Sequence, residues 1–588
     1  MRVTPAAALP AHDEFLGHPK GVFVCFFTEM WERFSFYGMK ALLLLYLLKY
    51  HLFSDESGYS VIGAYGGLVY CLPVIGGLLA DRYLGMRKAV IFGGVLLVLG
   101  HLGMAVEGVQ AHTAGGAVVR DERALWVFYF SLSLIIMGVG FLKPNISTIV
   151  GKLYSDDDPR RDSGFSLFYA GINLGAMLAS LVCGYLGERY GWRYGFGAAG
   201  LGMIAGLAMF LWGQKFLRGH GAPPEPALLR EKSFGLPREI AIYLGAILGL
   251  VPVALLMWAT ANGALKLGGL EPALALMLVV MLGVIVWFLW FILKQCTPVE
   301  RGRMIALMAM IVMALVYFTL YEQTYGSWVT FTDRLLTHDF FPSLVRQEKL
   351  PVSYYLVALL MMPVSFVLAT AIGERSPRSR LPGLLFGLAG VATIVMTFGM
   401  AVLQAQNASS LTFISGPFIL LLAPVFSWLW GFLARFNADP SKPFKSALGL
   451  VFAGLAFVPM AMAAAQVGES NQLASVWWLV LAYFVLEVGE MCLSPVGLSA
   501  VTQLSVKRVV SLMMGTWFLA TAFSETLAAE FGKRAALDRF EVGNLTDLSV
   551  AAAKYGELFW LLTKIGLGCG VVALLLVPLL KRLMHGLK

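Results

Sequence analysis

A chain of 588 residues that is 58% hydrophobic and only 13% charged, with apolar runs from end to end, reads as a polytopic membrane protein and leaves no polar tract long enough for a soluble domain. Its net charge of +9 would point to nucleic acid only if the basic residues gathered on one soluble face, and they sit instead in short loops between apolar runs. Cys25, Cys71, Cys183, Cys296, Cys492 and Cys569 are scattered without CxxC or zinc-like spacing, so neither a disulfide framework nor a metal site is expected, and no cofactor is implied.

In chain order, a short polar tail (1–20) precedes an apolar run that no small-residue cleavage site follows, so residues from 21 on read as a retained span. Six spans come first, at 21–50, 61–80, 88–106, 124–150, 164–187 and 193–216. A basic linker (Lys215, Arg218, Arg230, Lys232, Arg238) leads to ten more, at 239–259, 271–294, 303–331, 352–373, 382–404, 411–435, 445–465, 474–504, 511–531 and 554–582. The sequence therefore predicts an all-α protein of sixteen spans. It comprises an N-terminal six-helix bundle (21–217), a linker with a two-helix hairpin (218–302), and a C-terminal bundle (303–588) interrupted by a second hairpin at about 352–404. Alternate loops carry the Lys and Arg residues, among them Arg82, Arg87, Lys88, Lys152, Arg160, Arg161, Arg375, Arg378, Arg380, Lys442, Lys445, Lys507 and Arg508. The loops at 405–410 and 466–473 carry none, and 532–553 breaks the rule with Lys533, Arg534 and Arg539. By the positive-inside rule this even-numbered, multi-pass chain has both termini cytoplasmic, in a cytoplasmic (inner) membrane.

The first span holds the most informative residues. Glu29, Glu32 and Arg33 fall at i, i+3 and i+4, and Phe36, Tyr37 and Lys40 extend the same face. Each ionisable residue at bilayer depth costs about 2.5–3.5 kcal/mol on the insertion scale, so such a stripe cannot face lipid and must line a polar cavity or an interface. The next loop reads Gly77-x-x-Ala-Asp81-Arg82-x-x-Gly85-x-Arg87, with two glycines for a tight turn and a carboxylate beside guanidinium groups that can latch neighbouring helix ends. Further polar islands occur at Lys143-Pro144-Asn145, at Tyr321-Glu322-Gln323, at Glu487 and Glu490 with Ser494, and at Glu525, a buried-looking acid without an evident role.

These stretches carry a resemblance. The 77–87 loop matches the loop signature of the major facilitator superfamily. The first span resembles the ExxERFxYYG motif of the proton-coupled oligopeptide transporter (POT/PTR2) family. Lys143-Pro144-Asn145 resembles its KPN segment, 164–175 its fifth-helix signature, Tyr321-Glu322-Gln323 its FEQ element, and 490–498 its tenth-helix motif. The resemblance implies a major facilitator fold and, as a non-enzymatic activity, proton-driven symport of di- and tripeptides by alternating access. A zwitterionic peptide offers an ammonium, a carboxylate and a backbone in fixed relation while its side chains vary. A promiscuous site therefore clamps the termini and leaves roomy pockets between them. On that reading Arg33, Lys40 and Lys143 take the carboxylate and Glu490 the ammonium, with Tyr37, Tyr70, Tyr169, Asn173, Ser494 and Trp517 around them. The resemblance also pairs Glu322 with Lys143 across the bundles. Glu29, Glu32, Arg33, Lys143 and Glu322 couple protons, and Asp81, Arg82 and Arg87 form the gating loop. The partners are small peptides, protons and the lipid bilayer, and the functional unit is a monomer.

Departures bear on substrate range. Phe36 replaces the first tyrosine of the motif, Lys40 puts a compact charge where the family commonly has an arginine fork, and Gly416-Pro417 stands where Asn-Pro is common. Two other readings remain, a proton-coupled carrier of a non-peptide solute and a membrane sensor that binds peptide without moving it. Glu490 favours a substrate amine, and a sensor has no need of a coupling pair.

Overall fold

The computed structural model describes residues 14–155, 158, 160–346, 350–375, 380–537 and 548–586. The tail before Glu14 and the loop residues Arg378 and Arg539 lie outside them. Sixteen long helices run in the expected order. In chain order, α1 is Lys20–Leu45, α2 Asp55–Leu84, α3 Met86–Met104, α4 Glu122–Lys152, α5 Ser163–Tyr190 and α6 Trp192–Leu217. The linker pair is α7 Arg238–Asn262 and α8 Pro272–Lys294, followed by α9 Pro298–Leu335, then the inserted pair α10 Val352–Ile372 and α11 Leu381–Leu403. The chain continues with α12 Ser410–Arg435, α13 Lys442–Ser470, α14 Trp477–Leu504, α15 Val510–Gly532 and α16 Ser549–Leu583. Among the described residues, 14 helices are long and apolar enough to cross a membrane. The other two, α1 and α15, carry Glu29, Glu32 and Glu525 of the bundle junction and pack inside the same assembly.

Local chemistry sets several boundaries. Ser54 caps α2 by accepting the Ser57 N–H at 3.2 Å, and Thr297 with Glu300 forms a capping box on α9. Pro144 removes the donor for the Gly140 carbonyl inside α4. The next residue, Asn145, turns its side chain back to the Phe141 carbonyl at 2.7 Å and so satisfies a neighbouring acceptor. In α9 the α-helix gives way to a 3-10 turn at Glu322–Tyr325 before resuming at Ser327. That break places Glu322 at the centre of the molecule.

Two apolar cores divide the chain. One is built from α1–α6 and the other from α9 and α12–α16. The linker hairpin bridges them, α7 against α2 and α4 and α8 against α2 and α15.

The inserted hairpin departs from the sequence-based grouping. It lies within the C-terminal half of the chain but packs on the N-terminal bundle. Phe366 stacks on Phe23 at 5.4 Å and meets Phe27 at 5.3 Å. Tyr355 stacks on Tyr185 at 6.0 Å. Phe15, from the short strand pair before α1, closes the same aromatic cluster against Phe23 and Phe386. The aromatic faces of α1 and α5 recruit the hairpin, and chain order has no say in that.

Candidate functional site

The α1 stripe is buried except for half-buried Tyr37, and Lys40 at its far end meets helices of the other bundle. Arg33 Nε donates to Glu32 Oε2 at 2.5 Å and pairs with Glu29 Oε1 at 3.2 Å. Its guanidinium lies 5.1 Å over the Phe36 ring, so the phenylalanine that costs the site a hydroxyl supplies a cation–π face instead. Arg33 Nη2, Glu29 Oε2 and Glu32 Oε1 have no hydrogen-bond partner among the described residues. The cluster thus keeps polar capacity to spare.

Two turns further along, Lys40 Nζ lies 2.7 Å from Glu322 Oε2 of α9 and 2.6 Å from Glu525 Oε1 of α15. The Tyr325 ring sits 4.8 Å from the same ammonium and stacks on Tyr37 at 5.9 Å. The pairing expected between Glu322 and Lys143 is not made here. Lys40 takes Glu322, because the 3-10 turn of α9 carries the carboxylate toward α1. Lys143, half-buried on α4, stands 3.9 Å over the Tyr70 ring with no ion-pair partner among the described residues. Glu525, which the sequence shows only as an unexplained acid inside a span, is the residue that sequence reasoning missed. Its signal was a carboxylate well inside an otherwise apolar helix.

Across the junction, Glu490 on α14 is 8% exposed and its Oε2 has no partner among the described residues, as has Ser494 Oγ one turn on. Glu487 is fully buried, and Tyr321 OH donates to it at 3.4 Å. Tyr169 is 42% exposed yet lies within electrostatic reach of Glu490, Glu487 and Tyr37, so it borders an interior cavity. The expected pocket roles of Asn173 and Trp517 are not seen in this arrangement. Asn173 Nδ2 donates to its own Tyr169 carbonyl at 2.9 Å. Trp517 is 4% exposed and lies so flush on Gly497 that a Cβ there would come within 2.0 Å of its ring.

The ends of the junction differ. Away from the basic loops the bundles are tied together. Arg334 holds Asp55 through two hydrogen bonds of 2.7 and 2.8 Å, Lys49 bridges Glu188 and Asp333, and Thr412 Oγ1 donates to Ser180 at 2.8 Å. Backbones nearly touch there, since a Cβ on Gly184 would lie 2.8 Å from the Ser409 carbonyl carbon.

At the basic end a cleft of about 820 Å³ opens beside α4 and α5, lined by Ser147, Thr148, Lys152, Arg161, Phe165 and His220. Ser147 and Phe165 each lie one helical turn from Lys143 and Tyr169. The expected latch of Asp81 with Arg82 and Arg87 is unmade at this end. Asp81 is exposed, Arg82 lies over Tyr83, and Arg87 Nε donates to Gln214 at 2.5 Å while its backbone N–H bonds Gly221.

Comparison with known proteins gives a consistent result. A family model described as "PTR2: POT family" matches residues 87–413 and 393–534. The chain is 33% identical over 581 residues to the uncharacterized transporter YclF of Bacillus subtilis (strain 168), covering 97% of this chain and 96% of that one. It is 29% identical over 549 residues to the peptide transporter YePEPT of Yersinia enterocolitica subsp. palearctica serotype O:3 (strain YE-P4), covering 91% of each. A crystal structure of a peptide transporter POT in complex with sulfate superposes with a TM-score of 0.72 at 30% identity, covering 99% of this chain and 98% of that one.

Proposed function

The chain belongs to the POT family of membrane transporters, and from that premise we propose that it carries di- and tripeptides across the cytoplasmic membrane together with protons, by alternating access, as a monomer. The observation that carries this reading is the pair of charges that make no ion pair among the described residues, on opposite bundles, Lys143 on α4 and Glu490 on α14, whose Oε2 has no hydrogen-bond partner there. A peptide lying across the junction brings its carboxylate to Lys143, with Arg33 nearby, and its ammonium to Glu490. Tyr37, Tyr70 and Tyr169 wall the space between. The names of YePEPT and of the superposing transporter, both peptide carriers, support the substrate class.

Proton coupling follows from the ion pairs at the junction. Protonation of Glu322 removes one of the two charges that hold Lys40 and weakens the tie between the bundles. The bundles then part at the end closed by Asp55 and Arg334, the outer end if the basic loops face the cytoplasm. Glu29, Glu32 and Arg33 form a second proton-responsive cluster, in which a proton on either acid frees Arg33 for the peptide carboxylate.

Uptake of labelled Ala-Ala into proteoliposomes, with and without an inward proton gradient, tests the reading. Accumulation that depends on the gradient and is competed by unlabelled di- and tripeptides is expected, and Glu322→Gln should lose uphill uptake while keeping exchange. Equal uptake with and without the gradient would overturn the coupling. No uptake by correctly inserted protein would overturn the substrate class.

A further inference from the structure

Lys40 is held by two carboxylates, and the proposed function uses only one of them. Glu525 Oε1 lies as close to the ammonium (2.6 Å) as Glu322 Oε2 does (2.7 Å). The three side chains are between 1% and 7% exposed. The two carboxylates are neighbours across that ammonium, each with an oxygen within 2.7 Å of it. Glu525 reaches this position over Gly66 of α2, where a Cβ would come within 2.5 Å of Glu525 Oε2. The opposing helix therefore leaves the room this side chain occupies.

The charged and titratable groups around the pair can be counted. From α1 come Lys40, Tyr37 and, one cluster away, Arg33, which Glu29 and Glu32 already engage, and from α4 comes Lys143. From α2 come Tyr65, whose buried hydroxyl has no partner among the described residues, and Tyr70. From α9 come Glu322 and Tyr325, and from α14 Glu490. On α8, Glu271 faces Lys533 near the end of α15. One ammonium thus meets two acids, with no further cation in contact among the described residues.

Two ionised carboxylates held on one ammonium repel, and each weakens the hold of Lys40 on the other. A single proton placed between them relieves both effects. We propose that Glu525 and Glu322 bind one exchangeable proton as a unit, with Glu525 the positioning residue whose charge makes that proton bind readily despite Lys40. This deepens the proton-coupling role proposed above for Glu322 and rests on it. In the step itself a proton from water adds to a carboxylate oxygen of the pair. It is then held by the pair, while Lys40 remains an ammonium on the charge that is left.

Gradient-driven Ala-Ala uptake and peptide exchange, each measured against pH in proteoliposomes, test this with wild type, Glu525→Gln, Glu525→Asp and Glu322→Gln. Without the second carboxylate, one negative charge beside Lys40 is lost and the junction attracts a proton less. The half-maximal pH of driven uptake in Glu525→Gln should move toward acid by about one unit or more, with exchange retained, and Glu525→Asp should move it back toward wild type. An unchanged pH profile in Glu525→Gln would overturn the proposal, as would a loss of driven uptake and exchange by the same factor at every pH, which marks a purely structural role. Wild-type uptake indifferent to the gradient would instead sink the underlying coupling reading, so the two failures are distinguishable.

Discussion

The ion pair of Asp55 with Arg334 is the most testable element of the closed end. Arg334 donates to both carboxylate oxygens at 2.7 and 2.8 Å and to Tyr555 OH at 3.0 Å, while Asp55 also accepts the Leu537 N–H at 2.9 Å. Both side chains are almost fully buried, at 7% and 5% exposure. Removing one partner of such a pair typically costs about 3–5 kcal/mol, because the other charge is left buried and unpaired. Asparagine keeps the shape and an oxygen for Leu537, so Asp55→Asn should cost less, about 2–3 kcal/mol. The pair exists only while this end is closed, so that cost falls on the closed state and shifts the conformational balance by about 30- to 150-fold. Spin labels at Arg193 and Glu469, exposed positions at this end of the two bundles, report the change as a longer-distance population in Asp55→Asn. Arg334→Gln should produce the same change, and the double variant should add little to either. Unaltered distance distributions, or single effects that simply add, would refute the claim that this pair holds the end shut.

Three other outcomes follow from the packing. Gly66→Ala puts a Cβ where Glu525 Oε2 now lies, so it should reproduce the acid shift of Glu525→Gln in driven uptake, and a wild-type pH profile would contradict the close approach. Phe366→Ala removes the fully buried ring that joins the inserted hairpin to α1. In lipid only the packing share of a core deletion applies, so a loss of about 2 kcal/mol is expected, read as a lower melting temperature in detergent. His18, in the strand pair ahead of α1, bonds Tyr154 OH through Nδ1 at 2.8 Å. Partial burial and then Arg160 hold its pKa below the usual 6.5. The neutral ring is the one that fits, so its contribution is present above pH 6.5 and lost as pH falls through the lowered value. Proteolysis of the N-terminal segment should rise on acidification in wild type and not in His18→Gln.

What the sequence reveals and what it hides divide along a physical line. The engagement of Arg33 with Glu29 and Glu32 was legible because helical spacing alone puts the three on one face. The span order was legible because apolar length is a local property, although α2 begins at Asp55 rather than near 61, since its first turn is polar and capped. Pairings between bundles were not legible. Glu322 had three candidate cations on two helices, and only the 3-10 turn in α9 decides for Lys40. Glu525 was visible as a charge without a place for the same reason. The inserted hairpin was countable, but its docking on the N-terminal bundle depends on aromatic contacts between segments more than three hundred positions apart. Trp517 and Asn173 illustrate the same limit, since the packing of Trp517 on Gly497 and the bond of Asn173 to the Tyr169 carbonyl follow from neighbours that residue type alone does not reveal.

The charges at the junction also argue for the kind of solute. Arg33 is engaged by two acids and Lys40 by two more, and Glu487 accepts a hydrogen bond from Tyr321. Lys143 is left with only the Tyr70 ring, and Glu490 with an unpartnered oxygen, on opposite bundles. Drawing the bundles together around an anion would satisfy Lys143 and strand Glu490 as a buried carboxylate, and an amine would do the reverse. Leaving either charge desolvated and unpaired costs several kcal/mol. A zwitterion long enough to span the junction satisfies both at once. On the proposed function, the site selects against singly charged solutes through the partner they fail to supply, while the tyrosines between the two poles impose little on the side chains of a peptide.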